Sequence, residues 1–351
     1  VPDIPLLQPL AFRSVVEKFT APESLEMLSR IPKTPWPFPT IQWEIIRGSR
    51  AIARPNVPNS EAHIVPRLGR ETVSGSFLYL REKKVFQPTT LYWIRQAASN
   101  VGDLTIQNRA EQMILREVND LNVRFDNFAE YSIWQALQGR LVVDSADVQV
   151  DVDYKFLNSH KPVTGTPWAQ ATPEQIIGDV ISFKRLIQKD GRVAAVDAYT
   201  SEKAIQDIFN SFAFRSSGTA GSLPAAGLLS DRAKDEYYRS GTLPGFMGLN
   251  WKPQEAVYDA TGAAYTANPT DPNQEAKFLP ENKLILANLT DNRPFEMFVG
   301  PTADTENTQG STGKFAKNWE EKDPSGRVYL LEWNFIPAIT APEQIVSATI
   351  G

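Results

Sequence analysis

Between Asp103 and Gln138 run 36 consecutive residues without glycine or proline. Apolar or small residues recur there at Ile106, Ala110, Ile114, Val118, Leu121, Phe125 and Phe128. Those steps of three and four lay one stripe along a single helix. Asp103 stands where an N-cap belongs, and Gly139 where a left-handed residue would end the helix. At 1.5 Å per residue the rod would be about 54 Å long, against about three turns for an average globular helix. The alternative is a coiled coil. Asn119, Asn122 and Asn127, and the isolation of the segment, weigh against it.

Beyond Gly139 the period changes to two. Leu141-Val142-Val143 is answered by Val148, Val150 and Val152, with Ser145-Ala146-Asp147 as the turn, so a β-hairpin should follow the helix directly. Thr172-Pro173 opens a predicted helix to about Gln188, with proline at the tolerated first position. Val193–Val196 reads as a short buried strand, Thr200–Phe212 as a helix capped near Thr200 or Ser201, and Leu223–Tyr238 as a further helix stopped by Gly241. Lys283–Leu286, Phe295–Val299, Val328–Ile339 and Ile345–Ile350 have strand character, while residues 300–313 read as a loop. A long helix, then mixed short elements, then late strands make an α+β chain and not a βαβ array. No internal repeat is visible.

The front of the chain is different. Eleven of the 26 prolines precede residue 67, with Pro32, Pro35, Pro37 and Pro39 the densest run. Proline fixes φ and donates no amide, so residues 31–40 should be extended, with at most one short helix before them near Pro22–Ser29. Such an arm buries little of its own surface. Glu44–Arg95 then holds nine Arg and Lys against four Glu, a balance of +5 that leaves −10 on the remainder of a chain whose net charge is −5. Gly48, Pro55, Asn56, Pro58 and Pro66 punctuate it, which fits a long two-stranded excursion with a loose tip. An isolated hairpin is marginal in water. Its cations, Arg47, Arg50, Arg54, Arg67, Arg70, Arg81, Lys83 and Lys84, are candidates for inter-subunit contact. Nucleic acid is the competing partner for them; the acidic remainder of the same chain offers a charge partner without one.

Most enzyme chemistries lack parts here. The 351 residues (39.2 kDa) include no cysteine and only two histidines, His63 and His160, far apart and outside any HExxH pattern. No catalytic, cofactor-binding or metal-binding residue is assigned, and no cofactor is expected. Gly310-Ser311-Thr312-Gly313-Lys314 is half a phosphate-binding loop, but Thr308 and Phe315 stand where Gly and Ser/Thr are needed. Asp147, Asp151 and Asp153 alternate along a valine-rich strand, a solvated face and not a calcium loop. No Gly-x-Ser-x-Gly elbow occurs. Eight Trp leave a carbohydrate-active hydrolase or lectin-like protein as the alternative of another class, although Trp134, Trp319 and Trp333 are explained by packing. The opening Val1-Pro2-Asp3 has neither a basic nor an apolar leader region, and no run of about 18 apolar residues exists, so neither signal peptide nor membrane span is expected.

Several strings together carry a family resemblance. Phe278-Leu279-Pro280-Glu281-Asn282-Lys283-Leu284-Ile285-Leu286 resembles the Leu-Pro-acidic strand entry of the lambda-type phage major head proteins. Lys317-Asn318-Trp319, the hydrophobic strand through Pro337, and Ala341-Pro342-Glu343 with a terminal strand from Ile345 follow in the order of that family. The helix ending Ala136-Leu137-Gln138-Gly139 and its hairpin to Val152-Asp153 are also similar.

The resemblance implies the HK97 fold of a non-enzymatic capsid subunit. It implies an N-terminal arm over 1–39, an extended loop and its return strand over 40–96, and a peripheral domain over 97–172 and 319–340 with a spine helix at 103–138. An axial domain would comprise 173–318 and 341–351. It further implies hexamers and pentamers in an icosahedral shell, made in the host cytoplasm and residing in the virion. Packaged DNA would lie inside without sequence-specific binding, and portal, scaffold and decoration proteins would be partners. Gly48, Gly75 and Gly139 are candidate hinges between the slightly different positions that one sequence must fill. Some shells of this fold form Lys-Asn cross-links, for which no pair is assigned here. A bacterial encapsulin-type compartment is the alternative within the fold.

Overall fold

The structure, a computed structural model, describes residues 25–38, 40–47, 70–87, 106–144, 149–216, 239, 243–259, 275–289, 294–304, 313–322 and 325–351. In chain order these form α1 (Glu26–Arg30), β1 (Lys33–Pro35), β2 (Thr40–Ile46), β3 (Arg70–Ser76), β4 (Leu78–Phe86), α2 (Ile106–Leu137), β5 (Arg140–Asp144), β6 (Gln149–Asp153) and α3 (Pro173–Asp190). There follow β7 (Asp197–Thr200), α4 (Glu202–Ser216), β8 (Leu243–Phe246), β9 (Leu249–Pro253), β10 (Val257–Asp259) and β11 (Glu275–Lys277). The last are β12 (Lys283–Ala287), β13 (Phe295–Val299), β14 (Phe315–Lys322), β15 (Ser325–Ile339) and β16 (Ile345–Thr349). The chain divides into two compact units, one of residues 1–41, 76–134 and 297–337, the other of residues 42–75, 135–296 and 338–351.

In the first unit the 15-residue strand β15 organises the sheet. It pairs antiparallel with β4, from Arg327↔Phe86 to Phe335↔Leu78, and with β14, from Phe315↔Glu332 to Lys322↔Ser325. Both partners claim residues 327–332, so they lie on opposite edges of β15. Val328, Leu330, Leu331, Trp333, Phe335 and Ile336 are all buried, as in a strand covered on both faces, with Glu332 and Asn334 the polar residues among them. Pro337, which has no amide to donate, falls beyond the last residue paired with β4. Sheet order is β1-β13-β15-β14 with β4 also on β15, and the proline-rich β1 is admitted as a parallel edge strand on β13.

Of the predicted stripe, helix α2 buries Ile114, Val118, Leu121 and Phe125, and it continues with the buried Ala129 and Ile133; the side chains of Ile106 and Ala110 lie outside the described ones. Phe128 is half-buried and meets Phe335 edge-on at 6.1 Å. A second buried row was not foreseen: Asn122, Asp126 and Glu130, spaced one turn apart, are each 3 % exposed or less. Asp126 pairs with Lys314 at 2.7 Å, and Lys314 also donates to Asn122 at 3.3 Å while its ammonium lies 5.2 Å from the Trp333 ring centre. Burial pulls the Lys314 pKa down, and Asp126 only partly restores it. Glu130 accepts from the Met27 and Leu28 amides and from Trp134 Nε1. Leu25, Met27, Leu28 and Ile31 are accordingly buried in this unit. The expectation of little self-burial in the arm therefore fails for these residues; residues 1–24 lie outside the described ones.

In the second unit a sheet of order β16-β12-β7-β9-β8 carries α3 and α4, with Trp168, Ile176, Val180, Ile205, Trp251 and Leu284 in its core. Helix α3 begins in a capping box, Thr172 Oγ1 accepting from the Gln175 amide and the Gln175 side chain from the Thr172 amide, with Pro173 in the first turn. The β5–β6 hairpin is as predicted, register Leu141↔Val152 and Val143↔Val150. Gly139 has φ +93°, a left-handed backbone conformation that favours glycine at this position.

The strand predicted at Val193–Val196 forms instead at Asp197–Thr200, inserted between β12 and β9. Sheet register, not the apolar character of the valines, decides its place. Ser201 Oγ then accepts from the Ala204 amide and caps α4, leaving Thr200 in the strand. The predicted helix at Leu223–Tyr238 and the hairpin turn at 145–147 lie outside the described residues.

The Asp126–Lys314 pair yields a test. Asp126→Asn removes the carboxylate that meets the buried Lys314 ammonium and should cost about 3–5 kcal/mol, read as a lowered denaturant midpoint. Adding Lys314→Met should recover most of the loss.

Candidate inter-subunit surface

The basic residues of the excursion divide by where the fold puts them. Strand β2 pairs with β3 in a two-stranded ribbon, whereas the returning segment β4 leaves that ribbon and joins the sheet of the first unit. On the ribbon, Arg70 reaches Glu44 at 3.0 Å in an exposed pair. At its foot, half-buried Arg47 meets Glu71 at 3.1 Å and Glu343 at 3.4 Å, and donates to the Lys155 carbonyl at 3.0 Å.

On β4, Arg81 stands directly opposite Glu332, and its Nε lies 2.7 Å from that carboxylate. Glu332 is wholly buried. Burial raises its pKa, and Tyr79 and Arg81 oppose that rise. Tyr79 is in turn pushed up to about 12 by burial and by the Glu332 charge. Lys84 contacts Glu117 and Asp120 of α2, each at 2.6 Å. Partial burial draws its pKa down, and the two carboxylates more than reverse this. Arg124 of α2 grips Glu82 through two hydrogen bonds of 2.8 and 3.0 Å. Lys83 is exposed, and Gly75 is half-buried inside β3. Arg50, Arg54, Arg67 and Gly48 lie outside the described residues.

Arg47, Arg70, Arg81 and Lys84 are thus not brought together. Each meets a carboxylate of its own chain; the exposed Arg70–Glu44 pair contributes about 0–1 kcal/mol. Their partners Glu117, Asp120 and Glu332 are missing from the sequence reading, because pairing across such separations becomes legible only once β4 is known to lie on β15.

The residue types that carry chemistry elsewhere have structural roles here. The buried His160 ring bridges the Ile345 carbonyl at 2.8 Å and Asp190 at 3.1 Å; His63 lies outside the described residues. Lys314 of the half phosphate loop is committed to Asp126. Asp151 and Asp153 are exposed and pair with Arg140 and Lys155. Among the described residues no group of three or more His, Asp or Glu could hold a metal ion. A hollow of about 350 Å³ between Trp168, Lys203, Asp207 and Glu281 contains two carboxylates. Glu281 is held below its ordinary pKa by Lys277, and burial raises Asp207. Trp168, 2 % exposed with its Nε1 on Asp179, offers no stacking platform for a sugar. Trp134 and Trp333 are likewise core residues. No helix among the described residues is long and apolar enough to cross a membrane.

The sequence model of the family described as "Phage major capsid protein E" matches residues 14–350. No curated protein sequence matches. Among solved structures, the putative capsid protein of a prophage of E. coli CFT073 is similar with a TM-score of 0.61 at 15% identity, over 96% of this chain and 95% of that one. The capsid of cyanophage P-SCSP1u gives 0.49 at 8% identity, over 91% and 86%. The SrpI encapsulin complex of Synechococcus elongatus PCC 7942 gives 0.45 at 11% identity, over 98% and 95%. The α+β architecture is that of the HK97-like capsid fold. The chain belongs to the phage major capsid protein E family, as a structural, self-assembling subunit of the virion shell.

Proposed function

We propose that the chain is the repeating subunit of an icosahedral phage head, arranged as hexamers and pentamers and performing no catalysis. The family match over residues 14–350 carries this reading. Residues 1–39 serve as the arm, 40–96 as the extended loop, 97–172 and 319–340 as the peripheral domain, and 173–318 with 341–351 as the axial domain. Assembly takes place in the host cytoplasm with portal, scaffold and possible decoration proteins as partners, and packaged DNA is enclosed without sequence-specific contacts.

The charge arrangement bears on how the loop works. Arg47, Arg70, Arg81 and Lys84 have intrachain carboxylates, so their share in a neighbour contact is by exchange of partner. Lys83, exposed on β4, needs no exchange, and Arg50, Arg54 and Arg67 are assigned to the neighbour as well. A subunit wrapped by several neighbours adds modest contacts, since attachment at one edge raises the effective concentration at the others. Gly48, Gly75 and Gly139 are the proposed hinges. Gly139 already occupies a positive φ next to the long helix, where a small backbone change redirects the following hairpin.

Purified protein should sediment as closed particles of megadalton mass. Small oligomers alone at assembly concentrations would refute the shell reading. Deleting Arg54–Arg70 should leave a soluble subunit that closes no particles, seen by electron microscopy, and wild-type shells from that variant would remove the loop from the account.

A further inference from the structure

Within the second unit, helix α3 carries two unlike sides. Asp179 accepts from Trp168 Nε1, at the wall of the hollow that also holds Asp207 and Glu281. Ile177 and Ile181, two positions to either side of Asp179, lie across the helix, since two residues turn about 200°. There Ile181 and Arg185 are exposed, and Lys184 donates to the Met247 carbonyl. Two hollows of about 480 and 420 Å³ adjoin at Arg185 and Gln188, with Lys184, Arg185 and Lys189 as their charged lining and no carboxylate in either. The residues three and four positions from Arg185 are Ile181, Ser182, Gln188 and Lys189, so no ion pair forms along the helix. Among the described residues neither Arg185 nor Lys189 meets a carboxylate.

The hollow beside Trp168 has the opposite deficit. Asp207 is half-buried there without a hydrogen bond among the described residues, and burial raises its pKa more than the Lys203 charge lowers it. Lys203, one turn before it on α4, is drawn to Glu281 at 3.5 Å, and Glu281 is also met by Lys277 at 3.0 Å. We propose that Arg185 of one copy seats in the Asp207 hollow of the next, joining second units head to tail. The two surfaces lie on opposite sides of α3, so a two-fold contact cannot use both at once and would set like charge against like. The head-to-tail contact sets cations against carboxylates and leaves each copy one free half, so it repeats and closes as a ring. A guanidinium can meet a carboxylate through two parallel hydrogen bonds, and the apolar rims, Ile181 and Met247 on one side, Pro167 and Ala169 on the other, shield the pair from water. The inference rests on the self-assembling shell read above and names one contact within it.

Sedimentation of the full chain over a concentration series, with and without charge reversal, tests the contact. Arg185 is exposed, so Arg185→Glu keeps the fold, checked by circular dichroism, and should weaken association at least about tenfold. Asp207→Lys should do the same, and the two reversals together should restore association to near the wild-type level. Asp207→Asn serves if the lysine variant does not fold: in that background Arg185→Glu should cost far less than in the wild type. Arg185→Glu associating as the wild type does, or losses that simply add, overturns the contact. The same samples separate the two proposals: closed wild-type particles with no coupling between Arg185 and Asp207 refute the contact alone, and coupled oligomers that never close refute the shell alone.

Discussion

Strand β15 has both edges occupied by segments from different parts of the chain, β4 from residues 78–86 and β14 from residues 315–322. Almost everything else in the first unit follows from that double pairing. It makes β15 apolar on both faces, and it anchors the returning end of the basic excursion in a sheet. It also positions Arg81 against the one carboxylate of the strand's buried interior, Glu332. Pairing across such a span is entropically slow to form, so the strand's dense burial has to stabilise a contact that local propensity does not supply.

The charges follow the same logic. A stretch carrying +5 reads as a surface waiting for a partner, yet four of its cations are matched within the chain, two on β4 and two on or beside the β2–β3 ribbon. Lys84 lies between two carboxylates of α2, and Arg124 returns the contact to Glu82. These pairs fix where β4 runs over the helix more than they add stability. On the buried side of the same helix the polar row Asn122, Asp126 and Glu130 reaches Lys314 in one direction and the arm in the other. One helix thus carries three kinds of contact.

How much of this could be read beforehand depends on whether a feature was local. Helix α2 was legible because 36 residues lack a breaker and its apolar steps are regular, and the β5–β6 hairpin because its valines alternate. Strand β14, with the sequence FAKNWEEK, has no apolar pattern to announce it and exists because β15 offers a free edge. Strand β7, with the sequence DAYT, is similarly dictated by the strands on either side. The buried row on α2 was misleading in the other direction: Asn122 looks like an interruption of the stripe, when its partner Lys314 lies far along the chain. At the candidate surface the cations were found by composition, but not the carboxylates that meet them.

Native-state hydrogen exchange over a denaturant series tests the double pairing of β15 most directly. The amides of Val328–Phe335 and Leu78–Phe86 should exchange through one shared opening, the costliest in the first unit. Exchange of the Leu78–Phe86 amides at low denaturant, with β14 and β15 still protected, would contradict the account and leave β4 a detachable flap.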